Sequence, residues 1–492
     1  MGVIIKQTIK GTIYTYFGVL IGFITSGFLF PLFFKSEEIG LINILVTYSA
    51  IFAQFATLGI HSVTTRLFTY FRNEKNGHNG FLFIAIFTSL IGFLISLTVF
   101  YVLKPILLET GSKDSALFTE YFYYSIPLIF FTLFFGTFDN YYKVLYNSVI
   151  GTILKELIQR LLILISILIF FFGLIDFQLF VILYIISSSL PTVFILLSLI
   201  YNKHFYLKPS FSFIKKDLAL SMVSVGFFGI ITGFSSLAIL RIDSIMIASM
   251  IGLSATGVYT TVYFFSTLIL LPSRQLQKIS STVLADAWKE NNLENIKDVY
   301  YKSCINQFII AALFFIGLWG NIDNIFRILP SEFIIGKYVL FYLALANVID
   351  MVTGVNGTVI SNSPYYRFHT YIMIVLIFLI IITNYIFIPI LGITGAALAS
   401  ALSTLIFNIA RYLFLYFKFK MQPFNYKFIL VILISIISYF SVYFIPLFDN
   451  LIIDIFIRSS IMTIIFSLLT IKSKVSDEIN EKVISFSKTL KF

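Results

Sequence analysis

The chain is poor in charge. Only 12% of its 492 residues are Asp, Glu, Lys or Arg, about half of what a soluble protein carries. Cysteine is scarcer still. Cys304 stands alone, which excludes an intramolecular disulfide and any cysteine-based metal cluster. The four histidines are scattered at 61, 78, 204 and 369 and form no zinc-binding pattern. There is no G-x-x-x-x-G-K-[ST] loop, so the chain does not use ATP through a phosphate loop of its own. No segment alternates apolar and polar residues in the ten-residue blocks of an outer-membrane barrel. Disorder is excluded too, because it needs low hydrophobicity and high charge.

Apolar residues are abundant: 59% of the chain, with a mean hydropathy of +0.97. They fall in continuous runs of about 20 residues, the length at which an α-helix crosses a bilayer. We read an all-α polytopic membrane protein with about fourteen spans between residues 12 and 471. The first span follows Lys6 and Lys10, is too long for a signal-peptide core, and is expected to be retained. The 58 Phe and 29 Tyr are read as lipid-facing residues and interfacial belts.

Basic residues orient the spans. With the N-terminus in the cytoplasm, twenty-seven of the 34 Lys and Arg fall at or beyond inner ends. Lys35, Lys104, Lys113, Arg327 and Lys337 fall outside, and Arg241 and Arg458 within spans. This asymmetry predicts cytoplasmic termini and accounts for most of the net charge of +11.

The chain also repeats itself. Under a shift of 217 residues, FFKSEEIGLIN lies on MIGLSATGVYT and Gly40 meets Gly257. A third echo, LGITGAALAS, places Gly395 between spans 11 and 12. The expected organisation is a six-helix bundle over 1–210, a second over 211–420, two extra spans over 421–471, and an amphipathic cytoplasmic tail over 472–492. Parallel repeats of this kind belong to transporters, with the substrate path between the halves.

Three stretches resemble one family. They are PLFFKSEEIGLINI with LGIHSVTTRLF, then RIDSIMIASMIGLSATGVYTTVYFFSTLILLP, then NYIFIPILGITGAALASALS. Together they are similar to the Wzx-type polysaccharide flippases of the multidrug/oligosaccharidyl-lipid/polysaccharide exporter superfamily. The resemblance implies a fourteen-helix pair of bundles that moves an undecaprenyl-diphosphate-linked oligosaccharide across the bacterial inner membrane. It implies a role in O-antigen, other lipopolysaccharide, capsule or exopolysaccharide synthesis, with polymerase or chain-length proteins as partners. It implies no catalytic residue, cofactor, metal or nucleic acid. The branch that flips the peptidoglycan precursor carries arginines in span 1 and mid span 8. Here Gly11 to Phe34 holds no ionisable residue, and Thr267 takes the span-8 place.

Charge at bilayer depth normally meets a partner or a wet cavity. Asp139, Arg241, Asp243, Asp350 and Arg458 are the candidates. Arg241 and Asp243 lie in a span long enough to bend at Gly226, Gly229 and Gly233, and Arg241 would bind a diphosphate or an acidic sugar. The alternative is that the two residues neutralise a neighbour. Arg66, Arg274 and Lys278, at the inner ends of spans 2 and 8, would form a basic mouth or ordinary flanking charge. Asp350, with Asn347 and Asn356, is the candidate ion-coupling site. Glu156 and Arg160 are read as a helix pair. Two other functions compete: a cation-coupled drug exporter of the same fold, and a membrane polymerase or ligase. The latter needs a large outer loop rich in Arg, His and carboxylates, which is missing.

Overall fold

In the computed structural model, residues 2–111, 116–210 and 213–481 are described, without the side chains of 2–10, 12, 109–111, 274, 275 and 278. Every element among the described residues is helical. In the hydrocarbon layer only helices or closed barrels satisfy all backbone groups.

The spans are α1 (Ile13–Phe33), α2 (Ser36–Ala56), α3 (Phe81–Gly111) and α4 (Ala116–Val144). Next come α5 (149–171), α6 (Phe177–Tyr201), α7 (Lys216–Met250), α8 (Leu253–Ser273) and α9 (Leu293–Gly320). The chain closes with α10 (Ser331–Val352), α11 (Tyr366–Leu391), α12 (Ile393–Phe419), α13 (Tyr426–Tyr443) and α14 (Leu451–Lys472). Among the described residues, thirteen helices are long and apolar enough to cross a membrane. The remaining one, α5, carries Lys155, Glu156 and Arg160 and is interrupted by a π-helical turn over Ile153–Ile158. The chain is an all-α polytopic membrane protein, as its composition requires.

The motif residues have local causes. Glu38, in the third position of α2, folds back to accept the Lys35 backbone N–H at 2.8 Å and so caps the helix start. Gly392 joins α11 to α12 with φ 60° and ψ −139°, a conformation open essentially to glycine alone. The helix α7 is unbroken over 35 residues, about 52 Å at 1.5 Å per residue. Its glycines do not interrupt it; they let other elements approach.

Packing divides the chain into one unit over Met1–Thr260 and another over Thr261–Phe492. The division at 210 follows the repeat, whereas this one follows contacts: α7 packs on α2, on α3 and on the helix Ile60–Phe71.

In the first unit, hydroxyl-to-carbonyl bonds join the spans. Ser49 reaches the Ser125 carbonyl at 3.2 Å, Ser96 that of Phe52 at 2.9 Å, and Thr192 that of Phe131 at 2.8 Å. Water is not there to compete, so small polar residues serve as glue. The starts of α2 and α8 meet closely: a Cβ on Gly40 would strike the Leu253 backbone, and one on Gly257 the Ser36 backbone. Ser36 and Ser254 share a hydrogen bond of 2.7 Å there. Because 253 and 257 are 36 and 40 moved by 217, this contact maps onto itself under the repeat.

In the second unit, α9 sits in a core that includes Cys304, Phe308, Val431 and Phe466. Arg458 is buried in α14. It pairs with Asp454 at 2.8 Å and donates to the Val442 and Ile445 carbonyls at 3.0 and 2.6 Å. Asp454 also accepts from the Phe448 backbone and the Asn324 amide. Arg458 therefore ties down the turn between α13 and α14. The described start of the tail docks on the chain itself: Val475 is buried, Ile479 packs on the same core, and Ser476 bonds Asn306 at 2.6 Å. The rest of the tail, 482–492, lies outside the described residues.

Candidate functional site

The end of α2 sets the site. The chain leaves the helix through Leu58 and Gly59, both left-handed (φ 44° and 76°), and re-enters one at Ile60. Against this corner lies the glycine face of α7. A Cβ on Gly229 would strike the Ser62 side chain, one on Gly233 the Gln54 amide, and one on Gly226 would lie 3.2 Å from the Leu58 carbonyl. Four small residues, Gly229, Thr232, Gly233 and Ser236, recur on that face. With Gln54, His61, Ser62, Thr65, Arg66 and Asn140 they line a cavity of about 380 Å³.

The cavity offers acceptors and one strong cation. Thr65, Thr232 and Ser236 each spend their proton on a carbonyl of their own helix at 2.9, 3.0 and 2.9 Å, which leaves their lone pairs for a ligand. The Asn140 amide likewise donates to the Gly136 carbonyl at 2.8 Å, keeping its oxygen free to accept. His61 is held against Gly136, with Nε2 3.4 Å from the Thr137 hydroxyl. That hydroxyl donates to the Leu133 carbonyl and also meets Ser89, both at 3.0 Å. The network assigns the Nε2 proton to the Thr137 bond and makes Nδ1 an acceptor. Arg66 is exposed. No lining residue is acidic.

No ion pair among the described residues joins Arg241 to Asp243. Two residues apart on a helix, they point to nearly opposite sides. Asp243 accepts the Tyr259 hydroxyl at 2.8 Å. Arg241 is half-buried near Tyr184 of α6, and no ion pair among the described residues includes it. Neither residue lines the cavity that Arg66 lines. Arg274 and Lys278 lie on the helix Leu271–Lys289, but their side chains fall outside the described residues.

Asp350 lies in the second unit beside a break. The helix α10 stops at Val352, Gly354 takes φ 60°, and a short helix resumes over Asn356–Asn362. Asn408 donates to Asp350 at 3.2 Å and accepts from Thr353 at 2.8 Å and Asn356 at 3.0 Å. Arg411 lies 3.7 Å over Phe407, donates to Asn356 at 3.5 Å, and is near enough to act on the Asp350 charge. Asp350 thus stands with a resident guanidinium. Asn347 is spent on the Ser266 carbonyl at 2.8 Å.

A second cavity, of about 320 Å³, opens among α9, α10 and α13. Phe308, Phe315, Trp319, Val348, Ile436 and Phe440 are among its mostly apolar lining.

The model of one protein family, described as "Polysaccharide biosynthesis protein", matches residues 4–285, more than half of the chain. The chain belongs to the polysaccharide biosynthesis protein family. Among solved structures, this family member is similar to the lipid II flippase MurJ in its inward closed conformation. The TM-score is 0.74 at 18% identity over 94% of this chain and 98% of that one. An inward-facing multidrug resistance MATE transporter of the MOP superfamily gives 0.61 at 15% identity, covering 82% and 93%. The MATE multidrug transporter DinF-BH gives 0.55 at 17%, covering 86% and 97%. No curated protein matches by sequence. The fold is one that flippases and transporters use.

Sequence reading of this polysaccharide biosynthesis protein did not single out Gln54, His61 or Asn140. The signal for them was the stripe of Gly229, Thr232, Gly233 and Ser236 along one helix. Gly229 and Gly233, expected with Gly226 to bend that helix, instead lie in the wall of the cavity.

Proposed function

We propose that this polysaccharide biosynthesis protein is a flippase for oligosaccharides linked through a diphosphate to a polyprenyl lipid. It works in the bacterial inner membrane with both termini cytoplasmic, as the basic asymmetry predicts, and serves the synthesis of a surface polysaccharide. The carrying observation is the lining of the first unit's cavity. It holds hydroxyl, amide and imidazole acceptors and one arginine, without a carboxylate. Such a lining suits a ligand rich in hydroxyls and bearing negative charge. A cationic drug would leave Arg66 opposed and its own charge unmatched, so the drug-exporter reading is the weaker one. A carrier must present its cavity to each membrane face in turn, so the Ser36–Ser254 contact has to part during transport.

The test is reconstitution. Proteoliposomes should move a fluorescent polyprenyl-diphosphate disaccharide between leaflets faster than protein-free vesicles do. In cells, loss of the gene should leave lipid-linked oligosaccharide on the cytoplasmic side. Efflux of a cationic dye without movement of the lipid would reverse the assignment.

A further inference from the structure

Beside the cavity, α4 and α5 enclose five charged groups in the first unit. Asp139 pairs with Lys143 at 2.6 Å, and Glu156 with Arg160 at 2.7 Å. Arg160 also donates to the Gly18 carbonyl of α1 at 2.7 Å. That leaves Lys155. It is half-buried, and among the described residues it enters no hydrogen bond or ion pair. Its ammonium lies 5.2 Å over the Phe135 ring, with Asp139, Glu156 and Arg160 nearby. Three cations thus face two carboxylates, both already engaged. The other Asp139 oxygen is buried against Gly151 without a donor. Lys155 sits six residues past Val149, about 9 Å along the helix, within the π turn Ile153–Ile158. Such turns cost backbone regularity and recur at functional sites.

A surplus ammonium beside an orphaned acceptor lacks an anion that also carries a hydroxyl. We infer that Lys155 binds a phosphate group of the substrate's diphosphate, with Asp139 accepting from a sugar hydroxyl. This rests on the flippase reading and names the residue that takes the charge. The Phe135 face holds the ammonium ready without neutralising it. Lys143 and Arg160 stay with their carboxylates.

Binding by the purified full chain tests this, with farnesyl diphosphate, farnesol and inorganic pyrophosphate as probes. The wild type should bind farnesyl diphosphate more tightly than farnesol. Lys155→Met, which keeps the stem over Phe135, should weaken farnesyl diphosphate about tenfold and leave farnesol unchanged. Lys155→Arg keeps the charge and should stay within about threefold. If the Met protein melts early, Lys155→Gln is read in its place. Displacement of farnesyl diphosphate by pyrophosphate supports the site and assigns it to the bare anion; no displacement, with Lys155 still required, supports the lipid headgroup. Unchanged farnesyl diphosphate affinity in Lys155→Met overturns the Lys155 assignment and leaves the flippase reading standing. A wild type that prefers farnesol overturns both.

Discussion

The two units differ in the charges they leave without a close counter-ion. In the second, Arg458 has Asp454 and two carbonyls, and Asp350 has Asn408 with Arg411 near. In the first, Arg66 faces an acid-free cavity, and neither Arg241 nor Lys155 joins an ion pair among the described residues. A buried pair whose partners are satisfied holds helices together. On the flippase reading, a cation left without an anion takes one from the substrate. The proposal thus separates polarity that builds the fold from polarity that serves a ligand, and it can be broken experimentally.

The largest effect is expected in the second unit. Arg458→Ala leaves Asp454 buried and uncompensated, which costs about 3–5 kcal/mol. Membrane abundance and melting temperature should both fall sharply, while a paired Arg458→Met, Asp454→Leu change recovers part of the loss. Normal abundance of the single variant would show that Arg458 is not structural.

The first unit should respond in transport instead. With Cys304 replaced by Ala, the Ser36→Cys, Ser254→Cys protein places two sulfurs where the hydroxyls now touch. Oxidation should stop surface polysaccharide production and reductant restore it. Export from the oxidised protein at the reduced rate would mean that this contact stays closed throughout transport. Arg66→Ala comes next. Losing one charge-assisted bond to an anion costs about 1.5–3 kcal/mol. Export should drop at least several-fold at unchanged protein level, whereas a fall in protein level would move Arg66 into the structural class.

The smallest effects concern Arg241 and Asp243. Tyr259→Phe removes one hydrogen bond from Asp243, worth about 1 kcal/mol of stability. Arg241→Ala and Asp243→Ala should add within about 0.5 kcal/mol in the double variant, because the two side chains do not meet. Strong coupling between them would show that the two side chains do interact.

Fold class was legible because bilayer physics writes it into continuous apolar runs. Gly40 and Gly257 stood out through the repeat, and they mark a close approach of two helices; the Glu38 cap and the Gly392 turn emerged only in the structure. The site was less legible. Arg66 stood out as a charge, but whether Arg241 pairs with Asp243 depends on a rotation about α7 and on Tyr259, sixteen residues on. Gln54 and His61 become neighbours of Thr232 and Ser236 only when the left-handed corner at Leu58 and Gly59 folds against a helix more than 150 residues later. The Glu156–Arg160 pair was legible from its spacing and is present, but Lys155 counted only among the inner basic residues, and its place over Phe135 shows in the contacts alone.

The reciprocal meeting of Ser36 with Gly257 and of Gly40 with Leu253 bears on ancestry. A contact that returns to itself when the halves are exchanged is what a two-fold dimer makes through one surface patch. If the halves descend from one gene, the single-length ancestor already carried this patch and met its twin there. Fusion of the two copies then freed each side to drift, except where the backbones touch: neither glycine can gain a side chain unless the opposite backbone yields with it.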